Sequence, residues 1–236
     1  MQKLLNIDAN AKTVKGQKRG FMTAILYLAP SDLSGFQVCP TASTGCVASC
    51  LNTAGRGAFT QTQAARIKKT QFYFNDRPAF MAQLVDEIGK FVKRATRKGL
   101  TPCVRLNGTS DIPWERVRVG NAPNVMSLFP DLQFYDYTKR WNRKELPANY
   151  HLTFSHAENN ASRAFEVLNR QGNVAVVYRK ELPVRDRVGE TFVNSCHAAV
   201  VDGSEHDLRF LDPQGVIVGL CAKGKARYDV SGFVRD

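Results

Sequence analysis

The sequence predicts an α/β protein: a single domain built as a full or partial (β/α) barrel with mainly parallel strands. Three observations carry this. Short apolar runs recur along the chain, and several are separated by segments long enough for a helix or a crossover. Strands alternating with helices imply a mainly parallel sheet with right-handed crossovers, and roughly six such units favour a barrel over an open sheet. The chain also has 236 residues, 43% of them hydrophobic, enough for one sizeable core, with no repeat, low-complexity tract or clear linker to divide it.

Residues 1–20 read as a polar, basic arm ahead of one domain over 21–236. The arm carries Lys12, Lys15, Lys18 and Arg19. From Phe21 to Leu28 the residues favour a buried strand, ended by Pro30. A loop with three cysteines follows and runs on to Gly55 and Gly57. Residues 61–98 read as helical in two pieces. Asn75 or Asp76 suits an N-cap, Pro78 a first turn, and Gly99 the position just past the end. Phe80, Leu84, Ile88 and Phe91 recur at helical spacing. The strand-like runs after them are CVRLNG, LQFYDY, HLTFS, NVAVVY, HAAVVD and LRFLD.

In barrels the chemistry sits where strands end and loops leave. Polar residues gather at those positions here: Asn107, Gly108 and Asp111; Asp136 and Lys139; Ser155, His156, Glu158 and Asn159; then Arg179, Lys180 and Asp212. Trp114, Tyr135 and Tyr137 lie at strand exits too, where they would stack on an extruded base or cap the rim.

Charge narrows the partners. A net charge of +12, with 33 Lys and Arg against 21 Asp and Glu, points to a polyanion, with nucleic acid, DNA before RNA, the first candidate. Lys15, Lys18, Arg19, Arg179 and Lys180 are the cations singled out to meet it. No apolar core precedes the first basic residues and no run reaches membrane-spanning length, so a cytoplasmic protein is expected.

Reduced thiols in that compartment bind metal more often than they pair. Cys39, Cys46 and Cys50 lie on one loop, with six and then three residues between them and no histidine nearby. Three thiolates of this kind suit a [4Fe–4S] cluster with one iron open, while a fourth thiolate from Cys196 or Cys221 would give zinc or a closed cluster.

The motifs YLAPSDLSGFQVCPTASTGCVASCLNTAGRG, RLNGTSDIPWE, FYDYTK, HLTFSHAEN, NVAVVYRK and DLRFLDPQGVIVGLCAKGKA resemble the phage gene-product-88 family over nearly the whole chain. That resemblance implies a phage or mobile-element origin and no particular reaction. In layout the chain is similar to radical S-adenosylmethionine enzymes. This second likeness implies that Cys39, Cys46 and Cys50 hold the cluster, that Gly108 and Asp111 face the methionyl amine beside Asn107, and that Ser155 and Glu158 face the ribose beside Asn159. A short stretch, DLSGFQV, resembles the active-site segment of tRNA-guanine transglycosylases. There Asp32 would accept a proton, Phe36 would stack on the base, and Asp136 or Asp212 would be the nucleophile, with Lys139 a further candidate at the same strand ends.

Three functions therefore stand as expectations: a nucleic-acid base-modifying enzyme with a radical iron–sulfur site and S-adenosylmethionine; a transglycosylase exchanging guanine for a 7-deazaguanine in DNA or tRNA; and a non-enzymatic DNA-binding protein with structural zinc.

Overall fold

A computed structural model describes residues 2–8, 10–189 and 195–236. In chain order the elements are β1 (Leu5–Ile7), α1 (Ala11–Gln17), β2 (Phe21–Leu26), α2 (Thr44–Ala48), α3 (Thr60–Asn75), α4 (Arg77–Arg97), β3 (Thr101–Arg105), β4 (Gln133–Thr138) and β5 (Tyr150–Ser155). They continue with α5 (Ala161–Asn169), β6 (Val174–Tyr178), β7 (Arg185–Gly189), β8 (Ser195–Asp202), β9 (Ile217–Cys221) and β10 (Val234–Arg235). The chain divides into two compact units. The first comprises Met1–Pro40, Thr60–Asp136 and Arg143–His151; the second comprises Thr41–Phe59, Tyr137–Asn142 and Leu152–Asp236.

In the first unit, β2 pairs β3 and β3 pairs β4 in parallel, while β1 lies antiparallel on β2. The break foreseen in the helical stretch falls at Asp76, whose side chain accepts from Ala79 N and caps α4. Phe80, Leu84, Ile88 and Phe91 form the buried stripe of α4, each worth about 1.5–3 kcal/mol of transfer free energy. Where the sequence suggests an arm, residues 5–7 join the sheet and residues 11–17 form a helix. The Glu87 carboxylate accepts from Leu4 N and Leu5 N, and the buried Lys69 ammonium donates to Leu4 O and Asn6 Oδ1. Burial lowers the Lys69 pKa to about 8.

In the second unit the strand order is β5-β6-β9-β8-β7, parallel except for the last pair. Phe154, Leu168, Val174, Val176, Val188 and Ile217 make its core. Strand β10 also pairs with β6, in parallel, at Val177 and Tyr178, beyond the point where β5 leaves its edge at Ala175.

Two expectations need correcting. The sheet is mixed, mainly parallel and open, with no barrel closure. Among the described residues β1 pairs with β2 alone and β7 with β8 alone, and each of these outer partners runs antiparallel. Closure would need those two edges to pair with each other. The run LRFLD is also not a strand. Arg209–Leu211 is a 3-10 turn that buries Arg209 against Asp212, and the strand lies further on, at Ile217–Cys221.

Candidate functional site

Strand β5 ends at Ser155, His156 N makes the last bond to β6 at Ala175 O, and β10 takes up the edge of β6 beyond it, so the chain from Ala157 to Asn160 leaves that edge. Crevices at the carboxyl ends of parallel strands are where open α/β sheets bind ligands. A cleft of about 270 Å³ sits here in the second unit, lined by His156, Glu158, Arg187, Ser231, Gly232 and Arg235.

Glu158 is fixed from the cysteine loop. Ser43 Oγ donates to its Oε2 at 2.7 Å and Gly45 N donates to its Oε1 at 2.8 Å. Position 45 has to be glycine, because a Cβ there would stand 2.8 Å from Phe233 Cβ and 2.9 Å from Glu158 Oε1. Burial pulls the Glu158 pKa upward, but the two donors prevail and hold it below the usual carboxylate range, so the group is ionised. His156 is 9% exposed, and its Nδ1 is buried without a hydrogen-bond partner. Burial, reinforced by the Arg235 and Lys139 cations, lowers its pKa to about 4, which leaves a neutral imidazole at pH 7.

Arg235 Nη1 donates to Arg187 O at 2.7 Å and stands 3.0 Å from Asp186 Oδ2, whereas Arg187 is exposed at the rim. Asn160 opens α5, but its side chain is spent on Ala157 N and Ser155 O and does not cap the helix. The positive end of α5 thus meets the cleft at Ala161.

A second polar cluster lies in the first unit, at the ends of β3 and β4. Asp136 is fully buried and accepts from Asn107 N at 2.7 Å and from Tyr150 Oη at 2.8 Å. Burial raises its pKa to about 7, against the opposing pull of Arg105 and of the hydrogen bonds from Asn107 and Tyr150. Arg143 bridges to Glu115 and Tyr150 and lies 3.8 Å from Asp111 Oδ1. The Asn107 amide joins Ser110, Ile112 and Trp114. This is a scaffold with every member enclosed.

The sequence candidates therefore scatter. Glu158 lines the cleft. Lys139 Nζ donates to Ser155 Oγ at 2.7 Å, bracing the end of β5, and is not among the cleft-lining residues. Asn159 is exposed in the turn. Asn107, Asp111 and Asp136 belong to the scaffold, and Gly108 packs on β2, where a Cβ would meet Leu26 O at 2.8 Å. Asp32 is exposed in the turn after β2, and Phe36 stacks on Phe74 at 4.4 Å, a ring already covered by protein. Asp212 is paired with Arg209 at 3.2 Å. Lys15, Lys18, Arg19 and Lys180 are exposed, while Arg179 is consumed by Asp236, Arg227 O and Asp229 O. Arg187, Ser231 and Arg235 were missed. The alternation in VRDRVG was the signal for Arg187; nothing local marked the other two.

The three thiols have different immediate surroundings. Cys39 Sγ donates to Thr109 O, Cys50 Sγ accepts from Asn52 N, and Cys46 packs against Ala157, Ala222, Ala226, Phe233 and Val234. Among the described residues no three Cys, His, Asp or Glu side chains gather as a metal-holding group. Anaerobic reconstitution with iron and sulfide tests the cluster expectation directly: a stoichiometric chromophore bleached by dithionite would support it, and its absence would sink it.

No helix among the described residues is long and apolar enough to cross a membrane. Comparison with curated proteins finds no match, and neither does comparison with solved structures. The family model described as Gene product 88 matches residues 3–236, covering both units, the β5–β10 cleft and the buried scaffold alike. The chain belongs to the gene product 88 family.

Proposed function

We propose that this chain is a phage enzyme that modifies bases in nucleic acid, working from the β5–β10 cleft by base exchange. One observation carries the reading: an ionised carboxylate and a neutral imidazole share a cleft with two guanidinium groups and a helix N-terminus. Arg187 and Arg235 suit a phosphate of the substrate strand. The high net positive charge supports a polyanionic substrate, with DNA the first to test.

Base exchange needs a carboxylate that stays charged beside the sugar. Glu158 meets that requirement, and each of its oxygens keeps a lone pair beyond the bond from Ser43 or Gly45. Its oxygen bonds to the sugar C1′ as the glycosidic C–N bond breaks. The departing base carries off the electron pair and takes a proton from water. An incoming base, losing its own proton, then forms the new C–N bond and releases the carboxylate. Neutral His156 lines the same cleft and would pack beside the base. No step runs through S-adenosylmethionine or a metal.

The test is a DNA oligonucleotide carrying labelled guanine, incubated with the protein and an unlabelled 7-deazaguanine. The label should appear as free base, and Glu158→Gln should slow its release by about a hundredfold or more. Equal release by the variant, or none by the native protein on either DNA or tRNA, would overturn the proposal.

A further inference from the structure

The second unit displays an aromatic ring among cations on a turn outside the cleft. Tyr228 is 84% exposed and Val230 is 99% exposed. Lys223, Lys225 and Arg227 are exposed around them, on and beside the 3-10 turn Gly224–Tyr228.

The display is not a consequence of a loose backbone. Asp229, between the two apolar side chains, is buried and accepts from Ser49 Oγ, Ser231 Oγ and Val234 N. Arg179 reaches in from the end of β6 and donates to Arg227 O and Asp229 O, each at 2.7 Å. With its carboxylate committed inward, the segment offers a partner positive charge and apolar surface. It then continues into Ser231, Gly232 and Arg235, which line the cleft.

We infer that Lys223–Val230 is a platform for an unpaired nucleic-acid strand, with Tyr228 stacking on a base and the three cations holding the flanking phosphates. The inference rests on the reading that the chain acts on nucleic acid. Unpaired strand is specified because the face of Tyr228 needs the face of a base, and a duplex hides its base faces in the stack. Cations alone would meet a duplex equally well; an exposed ring on an anchored backbone favours a single strand.

Fluorescence anisotropy of the full chain tests this, using a labelled oligothymidylate of about twelve nucleotides. Parallel arms use the matching duplex and an abasic oligomer of the same charge. Tyr228→Ala should weaken binding of the oligothymidylate about tenfold. It should leave the abasic oligomer unaffected and the salt dependence unchanged. Combined replacement of Lys223, Lys225 and Arg227 by alanine should reduce the salt slope by about 2. Melting curves confirm folding, which is expected because all four residues are exposed and, among the described residues, only Arg227 of the four donates to the backbone, through Nε to Ala222 O.

Native-like binding by Tyr228→Ala, equal loss on the abasic oligomer, or tighter binding of the duplex would overturn the platform. Binding to an acidic protein but to no oligonucleotide would overturn it too. If no nucleic acid binds the native chain, the functional reading fails as well. If nucleic acid binds and Tyr228 does not matter, the platform alone fails.

Discussion

Asn107→Ala is expected to destabilise the first unit by about 3–5 kcal/mol, the largest effect of any single truncation described above. The amide oxygen accepts from Ser110 Oγ, Ile112 N and Trp114 Nε1 at 2.8–3.0 Å, and the amide nitrogen donates to Ile112 O and Asp136 Oδ2. The residue is 2% exposed, so water cannot replace the lost partners. Each buried donor or acceptor left bare costs about 1–3 kcal/mol, and several are stranded together. Urea unfolding followed by tryptophan fluorescence is suitable, because the Trp114 indole is itself one of the donors. A midpoint equal to that of the native protein would show that the network contributes nothing net.

Asp136→Asn should flatten the pH dependence of stability between about pH 4 and pH 7. The folded-state pKa lies near 7 and the ordinary value is 3.8, raised first by burial. The native state therefore keeps a proton through this interval that the unfolded chain has released. Stability contributed by the protonated acid is complete below the unfolded pKa and declines as pH rises through the folded one. Three units of difference correspond to about 4 kcal/mol. Native protein should lose stability on that scale from pH 4 to pH 7, against the background of its other groups, and the asparagine variant should lack this component. Parallel curves for the two proteins would show that Asp136 titrates normally.

Local signals in the sequence proved legible, and long-range ones did not. The break between α3 and α4 was written in Asp76 and Pro78, and the buried stripe of α4 in the spacing from Phe80 to Phe91, because capping and helical period act within a few residues. Whether the sheet closes depends instead on what its outer strands find as neighbours, and β1 and β7 each carry an antiparallel partner that no local pattern announced. The site divides in the same way. Glu158 was legible as a carboxylate after a strand. Its setting was not, since Ser43, Gly45, Arg187 and Arg235 arrive from distant segments. Asp136 was legible as a carboxylate at a strand end, and only the fold reveals that Asn107 and Tyr150 enclose it. Cys46 is a parallel case: the sequence places it with two other sulfurs on one loop, and only the fold shows the apolar residues it packs against.

Strand β10 comes after every other strand in order of synthesis, yet it completes the edge of β6 on which the pocket depends. A ribosome must therefore deliver Arg235 before the cleft can be complete. A growing polypeptide that lacks β10 leaves the edge of β6 at Val177 and Tyr178 unpaired, so the cleft lined by Ser231, Gly232 and Arg235 assembles only after the rest of its walls have been made.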